Sequence, residues 1–143
     1  MANLINVERA TVGYGTRTLL DAVSLGVEDG DAIGVVGRNG DGKTTLLKVL
    51  TGVHDPDAGR VTHTSGLSVG YLRQADDFVA GSTVRMVIAD GRPDHIWAAE
   101  PHTRAVVEYL LSGIDIDADV TGLSGGERRR VALAEVLLAG HDL

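Results

Sequence analysis

At 143 residues the chain has the size of one domain and is long enough to bury a core of its own. Hydrophobic residues make up 43% and charged residues 23%, an ordinary globular balance, and aromatics only 3%. The lack of cysteine excludes a disulfide framework and a thiolate metal site, and a net charge of −7 argues against coating nucleic acid through the overall field.

No apolar run approaches the ~18–20 residues that cross a bilayer, and MANLINVERA lacks the basic and apolar regions of a signal peptide, so a cytoplasmic placing is the default. From the N-terminus, Leu4–Val7 and Ala22–Val27 alternate as half-buried antiparallel strands do. Glu28-Asp29-Gly30-Asp31 is turn chemistry, and Ala32–Val36 is apolar on both faces, which predicts a central parallel strand. A glycine-rich loop follows, then a helix over Thr44–Leu50 closed by Gly52. Gly59–Thr62 and Leu67–Leu72 predict two further short strands. Thr83–Asp90 and Thr103–Leu111 carry apolar residues at helical spacing, with Arg92-Pro93-Asp94 as a break between them. Gly125-Gly126 opens a final helix, in which Val131, Leu133, Ala134, Leu137 and Leu138 form the apolar face. Strands first and helices later, with a strand–loop–helix unit between, predict an α/β domain.

Gly37-Arg38-Asn39-Gly40-Asp41-Gly42-Lys43-Thr44 fits the phosphate-loop pattern G-x-x-x-x-G-K-[ST]. A polyphosphate needs many donors close to its oxygens, and glycine lets a backbone wrap that tightly with its N–H groups inward. The helix start beyond the loop adds the positive end of its dipole. In this reading Gly37, Asn39, Gly40 and Gly42 form the cradle and Lys43 reaches the β- and γ-phosphates. Thr44 ligates Mg²⁺, and Thr45 adds a hydroxyl at the α-phosphate.

Leu123-Ser124-Gly125-Gly126-Glu127 is a second glycine motif, a Ser cap and two glycines at a helix start that present free N–H groups to an anion. The same residues also fit a plain capping box, through the Ser124…Glu127 spacing. Together the two motifs resemble the phosphate loop and LSGGE signature of ATP-binding cassette (ABC) ATPases, in the family's order. The resemblance covers the chain nearly end to end. It implies the ABC type of P-loop NTPase fold: an antiparallel β subdomain, a parallel-sheet core, here incomplete, and a helical signature subdomain. The implied ligands are ATP and Mg²⁺. Ser124, Gly125 and Gly126 would meet the γ-phosphate of ATP held by a second cassette. Tyr14, in Val12-Gly13-Tyr14-Gly15, resembles the aromatic that stacks on adenine, although a packing role at a strand end also fits it. Gln74, 31 residues after Lys43, resembles the Q-loop glutamine that contacts Mg²⁺ and the attacking water, which makes it and Lys43 the catalytic candidates.

The wider run LSGGERRRVALA over Leu123–Ala134 looks most like the ABC-F subfamily, soluble proteins with two cassettes on one chain, most of which act on ribosomes. A transporter motor subunit is the alternative. Only 48 residues separate Gln74 from Leu123, too few for the long helical arm of many ABC-F members. Arg128-Arg129-Arg130 is the one dense basic run, and the usual reading of such a run is the solvated face of a helix. Asp41 stands where the family has a small residue. A carboxylate at ~4 Å from phosphate would be repelled by on the order of a few kcal/mol, so it is expected to point outward, toward the opposing cassette. The Asp-Glu strand and switch histidine that such ATPases use for hydrolysis have no counterpart in the sequence, and His141 falls too early for that histidine. Residues 1–143 are thus expected to be one truncated cassette that binds ATP without turning it over, with His141 a solvated helix-end residue.

Overall fold

Asn3–Tyr14 forms β1, and its alternation is what a strand over a core requires: Ile5 and Val7 are buried, then Ala10 and Val12. The step from Val7 to Ala10 is three residues rather than two. A bulge absorbs the extra residue at Arg9, whose φ of 49° lies in the left-handed region. The bulge keeps both halves of the strand on one face, where a plain register would have turned Ala10 and Val12 to solvent. β2 (Arg17–Glu28) carries the same device at Ala22, φ 47°, between Leu20 and Val23. A computed structural model describes residues 2–73 and 77–143, which divide into two units, Met1–Val69 and Gly70–Leu143.

In the first unit β1 is the central strand of an antiparallel sheet in the order β2-β1-β3, with β3 at Ala58–His63. Helix α1, Lys43–Leu50, lays Val49 and Leu50 against the core that Ile5, Val7, Val12, Leu20 and Val27 build. The expected antiparallel subdomain and the helix after the loop are therefore present; α1 and β3 lie within a residue of their expected bounds, whereas β1 and β2 run well beyond the expected Leu4–Val7 and Ala22–Val27.

Two expected strands are not. Residues 32–36 have no strand assignment, and Ile33, Val35 and Val36 are exposed, Val36 at 93%. A parallel strand is held by a ladder to its neighbours, and among the described residues no strand pairs with this segment. Leu67–Leu72 is likewise irregular, with one rung-like bond from the Gly70 N–H to the Leu143 carbonyl at 2.7 Å. Both stretches have strand chemistry and lack the partner that would make it a strand.

The second unit is helical. α2 (Val84–Ala89) starts at Thr83, whose Oγ1 accepts from the Met86 N–H at 3.3 Å, and ends at Asp90 in the left-handed region. The expected break at Arg92-Pro93-Asp94 instead opens a short helix, α3 (Asp94–Trp97), because Pro93 stands at its N-cap with a backbone already suited to a helix start. α4 (Pro101–Leu110) and α5 (Gly125–Leu138) pack together, and Val84, Ile88, Trp97, Val106, Val131 and Ala134 form the core. The arginine run at the start of α5 is not the solvated face expected. All three are half-buried; Arg129 donates to the Arg73 carbonyl, and Arg130 donates to those of Leu110 and Ser112 at 3.2 and 3.3 Å. Arg130 thereby caps the end of α4, where carbonyls run out of helical partners. His141 is exposed, but its ring packs on the backbone of Gly70, where a Cβ would meet Cδ2 at 2.5 Å. Among the described residues no helix is long and apolar enough to cross a membrane.

Arg85 ties this unit together through charge. Its guanidinium donates to Asp117 at 2.8 Å and also to Asp94, whose carboxylate takes the Trp97 indole N–H at 3.0 Å. Asp94 is held below the usual carboxylate range by the indole and then by Arg85, and Asp117 chiefly by Arg85. A depressed folded-state pKa stabilises above the unfolded value near 4 and is lost as pH falls through the folded value. Arg85→Ala should therefore lower the thermal midpoint at pH 7 and flatten its fall between pH 5 and pH 2, because the shift on Asp117 and part of that on Asp94 vanish. Circular-dichroism melts of both proteins across that range check this, and parallel acid limbs would show that the pairing is not energetically coupled to folding.

Candidate functional site

The loop between residues 37 and 43 is shaped by the hairpin beside it. Gly42 is the N-cap of α1 with φ 94°, and a Cβ there would lie 2.9 Å from the Leu19 carbonyl oxygen of β2. Both the dihedral and the close approach demand glycine. Gly40 also has a positive φ, 86°, and its carbonyl accepts from Arg17 Nη2 at 3.0 Å. Arg17 opens β2, directly across the two-residue turn from Tyr14, so the hairpin ties the loop at a second point.

Lys43 lies across the loop and donates to the Gly37 and Arg38 carbonyls, each at 2.7 Å. Thr44 and Thr45 are half-buried in the first turn of α1. Asn39 lies in the turn at the loop's crest. Asp41 does not point outward. Its carboxylate folds back over the loop and accepts the Arg38 N–H at 2.7 Å, while its own N–H donates to the Arg38 carbonyl at 3.2 Å. The expectation rested on repulsion from phosphate alone. It left out that a backbone N–H of the same turn attracts a carboxylate three residues away.

Tyr14 ends β1 and is 55% exposed. The Asp57 carboxylate holds its neighbour by accepting the Gly13 N–H at 2.8 Å. One face of Tyr14 stacks on His54, ring centroids 6.1 Å apart and planes 20° from parallel. Neither Arg17 nor His54 was found from sequence. Arg17 could have been, since a Gly15-Thr16 turn must return the chain opposite Tyr14; His54 carries no such signal.

In the second unit Ser124 is the N-cap of α5. Its Oγ accepts the Glu127 N–H at 3.3 Å, and Glu127 reaches back to accept the Ser124 N–H at 2.8 Å. The backbone bond from Ser124, then its hydroxyl, holds the Glu127 carboxyl below its usual range. Nothing lies within 4 Å of where a Cβ would sit on Gly125 or Gly126, so an outside group can reach this helix start. Upstream, Asp119 caps the turn Val120–Gly122 by accepting from the Thr121 N–H and hydroxyl at 2.8 and 2.6 Å, which fixes the approach to Ser124. Gln74 lies outside the described residues. Among those described, no group of three or more His, Cys, Asp or Glu could hold a metal. The donors of the loop, the lysine and the helix start fit a phosphate chain chemically, and no cradle position is filled by a fixed apolar side chain.

A profile of the family described as ABC transporter matches residues 20–143. The chain is 34% identical, over all of its length and 55% of the relative's, to the zinc import ATP-binding protein ZnuC of Photobacterium profundum. It is 36% identical to the energy-dependent translational throttle protein EttA of Haemophilus influenzae, over 98% of this chain and 26% of that one. A solved complex of archaeal ribosomal stalk protein aP1 with ribosome recycling factor aABCE1 superposes with a TM-score of 0.80 at 33% identity, over 96% of this chain and 26% of that one. The chain thus spans about half the length of the zinc import relatives and a quarter of the others. On the family match over residues 20–143, together with a glycine loop and a capped glycine helix start in the family's order, the chain belongs to the ABC transporter family of ATP-binding cassettes.

Proposed function

We propose that the chain binds MgATP at Gly37–Thr44 as part of a longer ATPase. The observation that carries this is the Gly42-anchored loop, held against β2 and feeding Lys43 and Thr44 into the first turn of a helix. Lys43 reaches the β- and γ-phosphate oxygens from its place beside the Gly37 and Arg38 carbonyls. Thr44 and Gln74 hold Mg²⁺, Thr45 serves the α-phosphate, and Tyr14 stacks on adenine. Ser124, Gly125 and Gly126 take the γ-phosphate of ATP bound by a second cassette, so that two cassettes close around their nucleotides. Residues 1–143 supply binding groups; the carboxylate and histidine that complete hydrolysis belong to the rest of the intact protein.

The intact protein is, on this reading, a soluble two-cassette ABC-F ATPase whose ATP-driven closure acts on the ribosome. LSGGERRRVALA supports it, as does the similarity to a translational throttle protein and to a ribosome recycling factor. A second reading, the motor subunit of a membrane transporter, is favoured by the equal similarity to zinc import ATPases.

Lys43→Ala removes the loop's cation at the terminal phosphates. Charge-assisted bonds of this kind contribute about 1.5–3 kcal/mol, so affinity for a fluorescent ATP analogue should fall by about 10- to 100-fold. Unchanged affinity would refute the loop assignment. Tyr14→Ala should weaken binding by about tenfold and Tyr14→Trp should preserve it, since stacking on a base contributes about 1–3 kcal/mol; equal loss in both variants would reassign Tyr14 to packing. For the intact protein, trapped with ATP by substitution of its catalytic glutamate, co-sedimentation with ribosomes should require ATP and Ser124. Exclusive partition into membranes would establish the transporter reading instead.

A further inference from the structure

The far end of α1 leads the chain back to the end of β1. Thr51 Oγ1 donates to the Leu47 carbonyl at 2.9 Å, and Gly52, at φ 72°, turns the chain out of the helix. The His54 N–H then donates to the Lys48 carbonyl at 3.1 Å. A little further on, Asp57 clamps the same segment to β1 twice: its N–H donates to the Thr11 carbonyl and its carboxylate accepts the Gly13 N–H, both at 2.8 Å. His54 is thus held between two anchors, and its half-buried ring lies on Tyr14 with centroids 6.1 Å apart and planes 20° from parallel. That spacing falls within the range of offset-stacked aromatic pairs. Tyr14 remains 55% exposed, so the stack leaves ring surface open to an incoming group.

We propose that His54 is a positioning residue of the nucleotide site: it backs one face of Tyr14, so that the base stacks on the other and completes a three-ring stack. This rests on the reading of Gly37–Thr44 and Tyr14 as that site, and adds a residue to it. A tyrosine flanked by Gly13 and Gly15 has no bulky chain neighbour to hold its ring, and a side chain that must be ordered on binding costs affinity. A ring held in place before the base arrives escapes that cost. A flat imidazole on one face orders the tyrosine without covering the face that the base needs. Helix α1 begins at Lys43 and its exit carries His54, so one helix spaces the phosphate donors from the ring that takes the base. His54 acts through Tyr14 alone, and its effect therefore falls only on ligands that carry a base.

Displacement of a ribose-labelled fluorescent ATP analogue, by MgATP and separately by magnesium tripolyphosphate, tests this in wild type, His54→Ala, His54→Phe and Lys43→Ala. His54→Ala should bind ATP about threefold more weakly, within what an aromatic pair contributes, and should bind tripolyphosphate as wild type does. His54→Phe keeps a flat ring on Tyr14 and should restore the affinity for ATP. In a Tyr14→Ala background His54→Ala should cost nothing further, because the ring through which it acts is gone. Should His54→Ala melt below the temperature of the assay, His54→Gln, which keeps bulk and polarity without the ring, carries the same expectation. Unchanged affinity for ATP in the ring-less variant would overturn the proposal. So would an equal loss for ATP and tripolyphosphate, or a full loss in the Tyr14→Ala background. Failure of the nucleotide-site reading looks different: Lys43→Ala would then bind both ligands as wild type does.

Discussion

A backbone N–H without a partner in its own helix or turn must find an acceptor, and in both glycine motifs of this chain a carboxylate three residues further on supplies it. In the loop before α1 the acceptor is Asp41; at the start of α5 it is Glu127. Thr83 at α2 and Asp119 before Ser124 meet the same demand with their own oxygens. The hairpin matters to function for a related reason: Leu19 and Arg17 fix where the loop's donors and carbonyls face, by exclusion of a side chain at Gly42 and by a bond to Gly40.

What the sequence made legible was local. A glycine demanded by φ and a serine three residues before a glutamate each act within a turn, and the helices they open, α1 and α5, lie close to where they were expected. The alternation of Leu4–Val7 was readable, but its continuation was not, because the bulges at Arg9 and Ala22 shift the period by one residue without any glycine to announce it. Residues 32–36 and 67–72 were misread for the opposite reason. Their composition is that of strands, yet a strand is a relation between two segments, and composition describes only one. Within the site, Gly37–Thr44 was legible as a pattern, whereas the inward turn of Asp41 was not. Its direction depends on a competition between a distant ligand's repulsion and a near N–H group's attraction, and only coordinates report the near one.

Family membership constrains chemistry more than purpose. A zinc import ATP-binding protein and a translational throttle protein resemble this chain at nearly the same identity, each over almost the whole of this chain. One fold can serve both kinds of protein, so the resemblance alone assigns neither role.

The arginines of α5 carry one more lesson, about field rather than fold. Three successive cations in an acidic chain invite the inference of a landing strip for RNA. Yet Arg130 spends its charge on the carbonyl dipoles at the end of α4, and Arg129 donates to the backbone at Arg73. A polyanion arriving from solvent would have to compete with those partners, and winning them would uncap a helix. The nominal charge of a sequence segment is thus an upper bound on the attraction it can exert outward, and here the difference is taken up inside the fold.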